Sequence, residues 1–381
     1  MKKILFLQIK GKSYGGVWNV NKLIGEELIK RDYLVHIVSI RNNQNDLTLD
    51  HHPNLVVKTI NEIDIWESFH LNDVIKELKK NHIIKAIKMI ISKLKYNLGL
   101  KKDIKKLHNY IYEYQPDYIV TSHYQLLDMI PKEYLNKTVH EQHSSFIAAI
   151  SNKANKKTFD KYNGKIKYLW LSKKTMNNAI DEGYTNSSYI YNAVRFKTNE
   201  KADVVKNKKL ITIARLSKDK SIDIMVEIVK NIFKEKKYKD WTLEIYGSGE
   251  EEEYIKTLIN NHKQIKLMGL TNLPQKELLN ASINLNTSKY EGFSLSILEA
   301  NECGVPTIAF NFGESCEEQI INERTGIIAN NKEEYIKKLK ELMDNCELLE
   351  ELSNNAKKYS KEFQIENIIN NWIDLFKELD K

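Results

Sequence analysis

The sequence predicts an α/β protein with two domains, each built on a parallel sheet. The chain has 381 residues and is 41% hydrophobic, which is long and apolar enough for two domain cores. Short apolar runs alternate with helical patterns, as in sheets that are covered by helices. The same alternation begins again after Asn192, so we expect two such units that join near residues 191–208, without a low-complexity linker.

The first half contains four strand patterns and one clear helix pattern. Strands are predicted over residues 4–9, 35–40, 118–122 and 138–141, and a helix over residues 17–31. Each strand is a short apolar run, and Pro116 stands just before the third. Such runs between amphipathic segments are typical of strands buried in a parallel sheet.

The second half repeats this arrangement and ends in an amphipathic segment. Strands are predicted over residues 210–214, 241–246, 265–268, 283–286 and 307–310, and a helix near residues 222–236. Residues 365–379 form a further helical pattern, whose apolar face consists of Ile368, Ile369, Trp372, Leu375 and Phe376. An apolar face of this kind predicts that the last helix packs against another surface.

Membrane-spanning and secreted classes fit the sequence poorly. No stretch approaches the roughly 18 uncharged apolar residues that a spanning helix needs. The opening residues imitate a signal peptide, but the apolar run stops at Gln8 and Lys10. Cys303, Cys316 and Cys346 lie far apart and form no C-x-x-C pair, which argues against a disulfide framework and a zinc site. We therefore expect a reducing, cytoplasmic location.

The basic charge of the chain lies in its first half. Residues 1–195 carry 31 Lys and Arg against 19 Asp and Glu, a net charge of +12. The remaining residues carry 28 against 32, a net charge of −4, so the whole chain has +8. The acidic second half disfavours a nucleic-acid partner.

One segment of the first half, residues 76–106, is both basic and amphipathic. It holds eleven lysines against Glu77 and Asp103, with isoleucines and leucines at helical spacing. One interpretation is one or two solvated surface helices. The other is peripheral docking onto an anionic membrane face. The segment contains no arginine and no interleaved pattern of aromatic and basic residues, which weakens a nucleic-acid interpretation.

The most informative motif is residues 288–300, in which two glutamates flank the start of a predicted helix. Glu291 lies on the loop before the helix, Ser294 is its expected N-cap and Glu299 lies on the helix itself. Gly304 and the nearby Pro306 mark the helix end. Free amides at a helix N-terminus bind anions, and carboxylates can hold sugar hydroxyls. The motif suggests a nucleotide-sugar pocket, although two glutamates at this spacing are commonly just solvated.

A second motif comes directly after the strand predicted over residues 210–214. Arg215 and Lys220 stand at its carboxyl end, where ligands of α/β domains usually bind. A guanidinium fork and an ammonium group suit a diphosphate, whose charge grows as it leaves. The alternative is an exposed basic turn.

The third motif is the loop over residues 11–17. Gly11-Lys12-Ser13 imitates a P-loop, but Phe6 stands where that motif needs its first glycine. The spacing does not match a G-x-G-x-x-G dinucleotide loop either. The remaining feature is the pair Gly15 and Gly16, which would let a donor ligand approach backbone amides closely.

Together these residues resemble glycosyltransferase family 4, retaining nucleotide-sugar transferases of the GT-B fold, in a form that acts on bacterial surface glycans. Glu291 and Glu299 resemble its Glu-x(7)-Glu motif, and residues 304–306 match the family's Gly-Val-Pro segment just beyond that motif. Residues 246–249 and 267–269 resemble the glycine turns of its donor domain, and residues 190–194 resemble its interdomain Asn motif. Ala214 and Ser221 stand where the family often has glycine, and residues 313–315 replace a frequent Gly-Pro-Ser.

The resemblance implies a role for each candidate residue. Glu291 would bind the donor sugar with help from the backbone amides of residues 293–295, and Glu299 would hold the ribose. Arg215 and Lys220 would stabilise the leaving diphosphate, so no metal or other cofactor is expected. The donor-contacting residues implied by the motifs are Gly15, Gly16, Arg215, Lys220, Gly247, Glu291, Gly292, Phe293, Ser294, Leu295 and Glu299.

The family also implies a histidine near the reacting carbon of the donor sugar. His143, which is followed by small polar residues, matches best; His140 is the second candidate and His123 the third. The H-x-x-H spacing of His140 and His143 could instead bind a metal, although no acidic partner of a zinc-enzyme pattern accompanies it. A histidine with a purely structural role is the other alternative.

The resemblance also implies a domain plan and an activity. Residues 1–195 would form the acceptor-binding domain, residues 196–364 the donor domain, and residues 365–381 a helix that crosses back onto the first domain. The expected activity is retaining, metal-independent hexosyl transfer from a UDP-sugar to a lipid-linked, wall or capsular glycan at the cytoplasmic membrane face. The alternatives are a catalytically silent partner of glycan or of a sister transferase, and a nucleotide-sugar epimerase.

Overall fold

The computed structural model describes residues 1–10, 16–41, 50–61 and 82–381, with the side chains of Lys10 and of residues 92–98 left aside. The chain divides into two compact units. Unit 1 comprises Met1–Glu141 and Thr158–Lys167, and unit 2 comprises Gln142–Lys157 and Tyr168–Lys381. Each unit is described by itself.

Unit 1 contains a parallel sheet that matches the four predicted strands and adds one. Its strands are β1 (Lys3–Lys10), β2 (Leu34–Arg41), β3 (Val56–Asn61), β4 (Tyr118–Thr121) and β5 (Thr138–Gln142), in the order β3-β2-β1-β4-β5. All neighbouring pairs among them are parallel. Strand β3 was not predicted, because its half-exposed residues lack the continuous apolar run of a buried strand.

Unit 2 contains a second parallel sheet. Earlier in the chain than this sheet, strands β6 (Lys167–Trp170) and β7 (Ser187–Tyr189) pair in parallel. The sheet itself consists of β8 (Lys209–Ile213), β9 (Thr242–Tyr246), β10 (Ile265–Gly269), β11 (Ile283–Asn286), β12 (Thr307–Phe310) and β13 (Gly326–Ala329), in the order β10-β9-β8-β11-β12-β13. The predicted α/β class with two parallel sheets is confirmed.

In each sheet the order of the strands reverses at the first strand. Strand β1 lies between β2 and β4, and β8 lies between β9 and β11. Ligands of such sheets bind beyond the carboxyl ends of the strands, at the point where the strand order reverses. In unit 2 this point brings the loop after β8 beside the loop after β11.

The longer helices bury one face each. They span Gly16–Ile29, Ile83–Tyr114, Lys153–Tyr162, Lys173–Asp181, Ile222–Ile232, Glu252–Ile259, Leu295–Glu302, Lys332–Asp344, Cys346–Tyr359 and Ile365–Leu379; shorter ones span Phe146–Ile150, Val204–Asn207, Pro274–Leu279 and Cys316–Gln319. In helix Ile222–Ile232 the buried residues include Ile222, Met225, Val226 and Val229. Full burial of each such side chain stabilises the fold by about 1.5–3 kcal/mol.

The last helix covers the predicted range, Ile365–Leu379, and its five predicted apolar residues are buried. Its docking onto the first domain, like the division at residues 195 and 364, stays a prediction. None of the described helices combines the length and the apolar character that crossing a membrane would require.

Candidate functional site

The loops after β8 and β11 meet through an ion pair between two predicted site residues. Lys220 Nζ lies 2.7 Å from Glu291 Oε1, and Ser288 Oγ donates a hydrogen bond of 2.7 Å to the same oxygen. The side chains of Lys220 and Glu291 are only 19% and 11% exposed. Thr287 Oγ1 donates to the carbonyl oxygen of Lys220 at 3.0 Å and so fastens the two loops together.

Arg215, the other predicted diphosphate ligand, is the most exposed residue of this group. Its side chain is 65% exposed, and its guanidinium lies 3.2 Å from Asp219 Oδ1 and 3.1 Å from Ser217 Oγ. Burial alone would raise the pKa of Asp219, but the Ser217 hydroxyl and the charges of Lys220 and Arg215 lower it below its usual value. A solvent-facing guanidinium on this loop can swing towards an anionic ligand.

Two glycines of the predicted site are required by close backbone packing. A Cβ at Gly292 would overlap the carbonyl oxygen of His143, and a Cβ at Gly247 would overlap that of Ala214. Gly247 also has φ +143°, which side chains with a Cβ rarely adopt. The main chain of His143 therefore touches the loop that carries Glu291.

Ser221, which stands where the resemblance predicts glycine, has a backbone conformation that favours glycine. Its φ is +48°, in the left-handed region, where it is the N-cap of helix Ile222–Ile232. A left-handed residue other than glycine costs about 1–2 kcal/mol. The loop that presents Lys220 thus contains a left-handed residue other than glycine.

The helix predicted after Glu291 spans Leu295–Glu302, with Ser294 as N-cap and Gly304 in the left-handed region beyond its end. The amide of Ser294 donates a hydrogen bond of 2.7 Å to Gln319 Oε1. Phe293 is buried and stacks on Tyr191, with a ring-centroid distance of 5.0 Å. A ligand that accepts a hydrogen bond from the Ser294 amide would have to replace Gln319. The Leu295 amide is at the start of the helix and has no acceptor within it.

Glu299 is buried and forms an ion pair that sequence reasoning missed. Its side chain is 1% exposed, and Arg195 Nε donates a short hydrogen bond to Glu299 Oε1. Burial lowers the pKa of Arg195, but the charge and the hydrogen bond of Glu299 outweigh this and raise it. The available signal was position, because Arg195 directly follows the Asn motif over residues 190–194.

Two further carboxylates near the site serve as helix caps and were also missed. Glu318 accepts hydrogen bonds of 2.9 and 2.8 Å from the amides of Lys173 and Lys174, at the start of helix Lys173–Asp181. Glu314 accepts one of 2.8 Å from the amide of Phe146. Carboxylates at helix N-termini satisfy free amides and complement the helix dipole. They attach residues 142–157 and 168–181 to the segment after β12, where Glu314 lies on the loop and Glu318 on helix Cys316–Gln319.

The remaining predicted residues lie in unit 1 or outside the described residues. Gly15 lies outside them, and Gly16 begins helix Gly16–Ile29. His140 is buried on β5 against the ring of Phe159, and His123 follows β4. Over residues 1–10, 16–41, 50–61 and 82–381, no three His, Cys, Asp or Glu side chains are grouped as metal ligands.

The basic segment is described from His82 onwards, and residues 76–81 lie outside the described residues. Helix Ile83–Tyr114 begins with an unusual row of exposed isoleucines. Ile83, Ile84, Ile87, Ile90 and Ile91 are 45–73% exposed. Lys85 and Lys88, in the same two turns, are exposed as well.

Comparison with known proteins gives matches to glycosyltransferases. The model of glycosyl transferases group 1 matches residues 194–359. An uncharacterized glycosyltransferase of Haemophilus influenzae is 27% identical over 98% of this chain and 99% of its own length. A poly(ribitol-phosphate) alpha-N-acetylglucosaminyltransferase of Staphylococcus aureus is 28% identical over 43% of this chain, which corresponds to 34% of that relative.

Solved structures match over nearly the whole chain. TarM from S. aureus superposes with a TM-score of 0.77 at 15% identity, covering 99% of this chain and all of the other. HepE from Anabaena, in complex with UDP and glucose, gives 0.76 at 18% identity, with 99% and 100% coverage. At these identities the likeness establishes the shared GT-B fold. The match over residues 194–359, the full-length relative and this fold together support a glycosyltransferase of GT-B type.

Proposed function

We propose that this protein transfers a hexose, with retention of anomeric configuration and without a metal, from a UDP-sugar to a glycan acceptor. The observation that carries the proposal is the pairing of Lys220 with Glu291 beside the main chain of His143. A cation for the diphosphate and a carboxylate for sugar hydroxyls thereby stand at one carboxyl edge of a parallel sheet. Named relatives that act on poly(ribitol-phosphate) and poly(glycerol-phosphate) support a wall, capsular or lipid-linked glycan as the acceptor.

The proposed mechanism uses position and charge. Lys220 and Arg215 stabilise the negative charge that develops on the leaving diphosphate, and Glu291 orients the sugar through its hydroxyls. His143 contacts the sugar near the reacting carbon. The acceptor hydroxyl attacks on the face that the diphosphate leaves; the new glycosidic bond forms, the bond to phosphate oxygen breaks, and that diphosphate takes the hydroxyl proton.

The test is thermal unfolding of the full chain with a panel of UDP-, GDP- and ADP-sugars. A ligand that binds only the folded state raises the unfolding midpoint as its concentration rises. We expect a shift with UDP-sugars that is lost in Lys220→Ala and Glu299→Ala and kept in Lys218→Ala, an exposed lysine of the same loop. No shift with any nucleotide sugar would contradict the proposal and favour the silent-partner alternative.

Product analysis separates transfer from the remaining alternative. Incubation with donor alone should leave its sugar unchanged, whereas an epimerase would convert it. With an acceptor glycan, the anomeric configuration of the product, read by NMR, should equal that of the donor. Activity should persist in a chelator, and complete loss there would contradict the metal-independent mechanism.

We also propose that the acceptor is reached at an anionic membrane surface, through the segment over residues 76–106. The exposed row of Ile83, Ile84 and Ile87, next to exposed Lys85 and Lys88, can combine apolar insertion with charge attraction. Flotation with vesicles containing anionic lipid should weaken as salt rises and in Lys85→Glu/Lys88→Glu. Vesicle binding that stays the same at high salt and in the double variant would contradict this part of the proposal.

A further inference from the structure

Residues 192–195 run along helix Leu295–Glu302 and are fastened to it at both ends. Asn192 Nδ2 donates a hydrogen bond of 2.9 Å to the carbonyl oxygen of Phe293, just before the helix. Val194 packs in one buried cluster with Phe293 and Leu298. Arg195 then reaches Glu299 in the middle of the helix. The segment is therefore held in a fixed register against the helix that carries Glu299.

The pair of Arg195 and Glu299 is asymmetric in exposure. Glu299 is 1% exposed, whereas the side chain of Arg195 is 29% exposed. A buried carboxylate needs a partner, because the loss of hydration destabilises its charge. In the parts of the chain that the structure describes, Arg195 is the cation within ion-pair distance of Glu299. It thus holds the direction of this carboxylate.

We infer that Arg195 is a positioning residue, which holds the Glu299 carboxylate in the orientation that accepts hydrogen bonds from the ribose hydroxyls of the donor nucleotide. This inference rests on the proposed function. Arg195 occupies one carboxylate oxygen from the side of the Asn192–Arg195 segment. The guanidinium is planar and always charged, so it fixes a carboxylate more rigidly than a lysine does.

The expected effect is on ribose recognition and not on the chemical step. Arg195→Gln should raise the donor KM by about 10-fold or more, the usual effect of a lost charged hydrogen bond. The kcat should change little, because a contact made equally in ground and transition states leaves it unaffected. A purely structural role would lower the fraction of active protein and so reduce kcat.

The decisive readout compares UDP with 2′-deoxy-UDP as ligands of the full chain. The wild type should bind UDP about 10-fold more tightly, since the deoxy compound lacks one hydroxyl for Glu299. In Arg195→Gln this ratio should fall to nearly one. The matched control is Lys197→Ala, because Lys197 lies two residues further on and its ion pair with Glu366 is 60% and 58% exposed.

Each outcome decides between the inference and the proposed function. A folded Arg195→Gln protein with the wild-type ratio would overturn the role of Arg195. If that variant does not fold, Arg195→Lys keeps the charge but cannot donate from the same position, so its ratio should fall by at least about threefold; an unchanged ratio overturns the inference. A wild type that binds no UDP would overturn the proposed function itself.

Discussion

The carboxyl ends of the two sheets carry different chemistry on the same architecture. In unit 1 a neutral network of side chains lies near the ends of β1, β2 and β4, although β2 itself ends at Arg41, which pairs with the buried Asp103. Gln8 Nε2 donates to Ser39 Oγ at 3.2 Å, and Asn21 Nδ2 donates to Gln8 Oε1 at 3.1 Å and to Ser122 Oγ at 3.5 Å. All four side chains are buried, so they join the three strand ends to one another and to helix Gly16–Ile29.

In unit 2 the corresponding loops carry full charges. Lys220, Glu291 and Arg215 each lie within 4 Å of an oppositely charged group. Each charge has an oppositely charged partner within the site. It therefore stays compensated before an anionic ligand binds. The difference fits the proposal that a diphosphate binds to unit 2, because a fold supplies the place while side chains supply the chemistry.

The largest effect is expected from removing the charge of Lys220, which pairs with Glu291 in unit 2. Lys220→Ala should lower kcat/KM for the donor by about 10²–10³-fold, the usual cost of losing one donor to a developing anion. Steady-state kinetics with the donor found by the thermal panel would measure it. Lys218→Ala should remain near the wild type. Equal effects of the two variants would contradict a special role for Lys220.

The second prediction concerns the close backbone contact in unit 2. Gly292→Ala should destabilise the protein by about 1–3 kcal/mol and reduce activity, because the new Cβ overlaps the main chain of His143. Denaturant unfolding measures this. Gly99→Ala is the matched control, since a Cβ at Gly99 in helix Ile83–Tyr114 meets nothing within 4 Å. Gly99→Ala should raise the free energy of unfolding by about 0.5–1 kcal/mol.

The third prediction concerns the neutral side-chain network of unit 1. Asn21→Leu removes the donor to the buried Gln8 Oε1, which should cost about 1–3 kcal/mol of stability. The affinity for donor nucleotide should not change, because Asn21 belongs to unit 1. Lys22→Ala, one residue further on the same helix, should stay within about 0.5 kcal/mol of wild type. Weaker UDP binding in Asn21→Leu would contradict the assignment of the nucleotide to unit 2.

The fourth prediction uses His36, a histidine that unit 1 keeps neutral. Burial, and then the charges of Lys3 and Lys58, lower its pKa to about 4. Unfolding restores a pKa of about 6.5, so the unfolded chain binds the additional proton between these two values. Stability is therefore complete above about pH 6.5 and falls as the pH drops towards 4.

Urea unfolding at about pH 7.5 and about pH 5 tests this dependence. His36→Phe keeps a ring against Tyr114, with which His36 stacks at 3.8 Å, and loses the bond to Tyr110 at both pH values. The wild type should lose more stability on acidification than this variant does. Equal losses would show that His36 does not contribute to the pH dependence.

Much of the fold could be predicted because the pattern that determines it is local. The buried strands β8, β11 and β12 are continuous apolar runs, and the helix over Ile365–Leu379 repeats its apolar residues every three or four positions. Strands β3, β6, β7 and β13 were missed; β6 and β7 are only four and three residues long. Strand β3 is half-exposed, and β13 is a run of four residues that begins with Gly326. Short or mixed runs carry too little periodicity to be recognised.

By itself, the sequence determined the two parallel α/β units, the residue types of the donor motif, and the caps and ends of the helix that bears Glu299. Only the tertiary structure decided which of these residues meet. Lys220 and Glu291 are 71 positions apart, and Arg195 and Glu299 are 104 apart. Periodicity and capping act over a few residues, whereas such pairs depend on strand order and loop packing. The physical reason is that a buried charge is stable only beside its partner, and folding alone brings that partner into place.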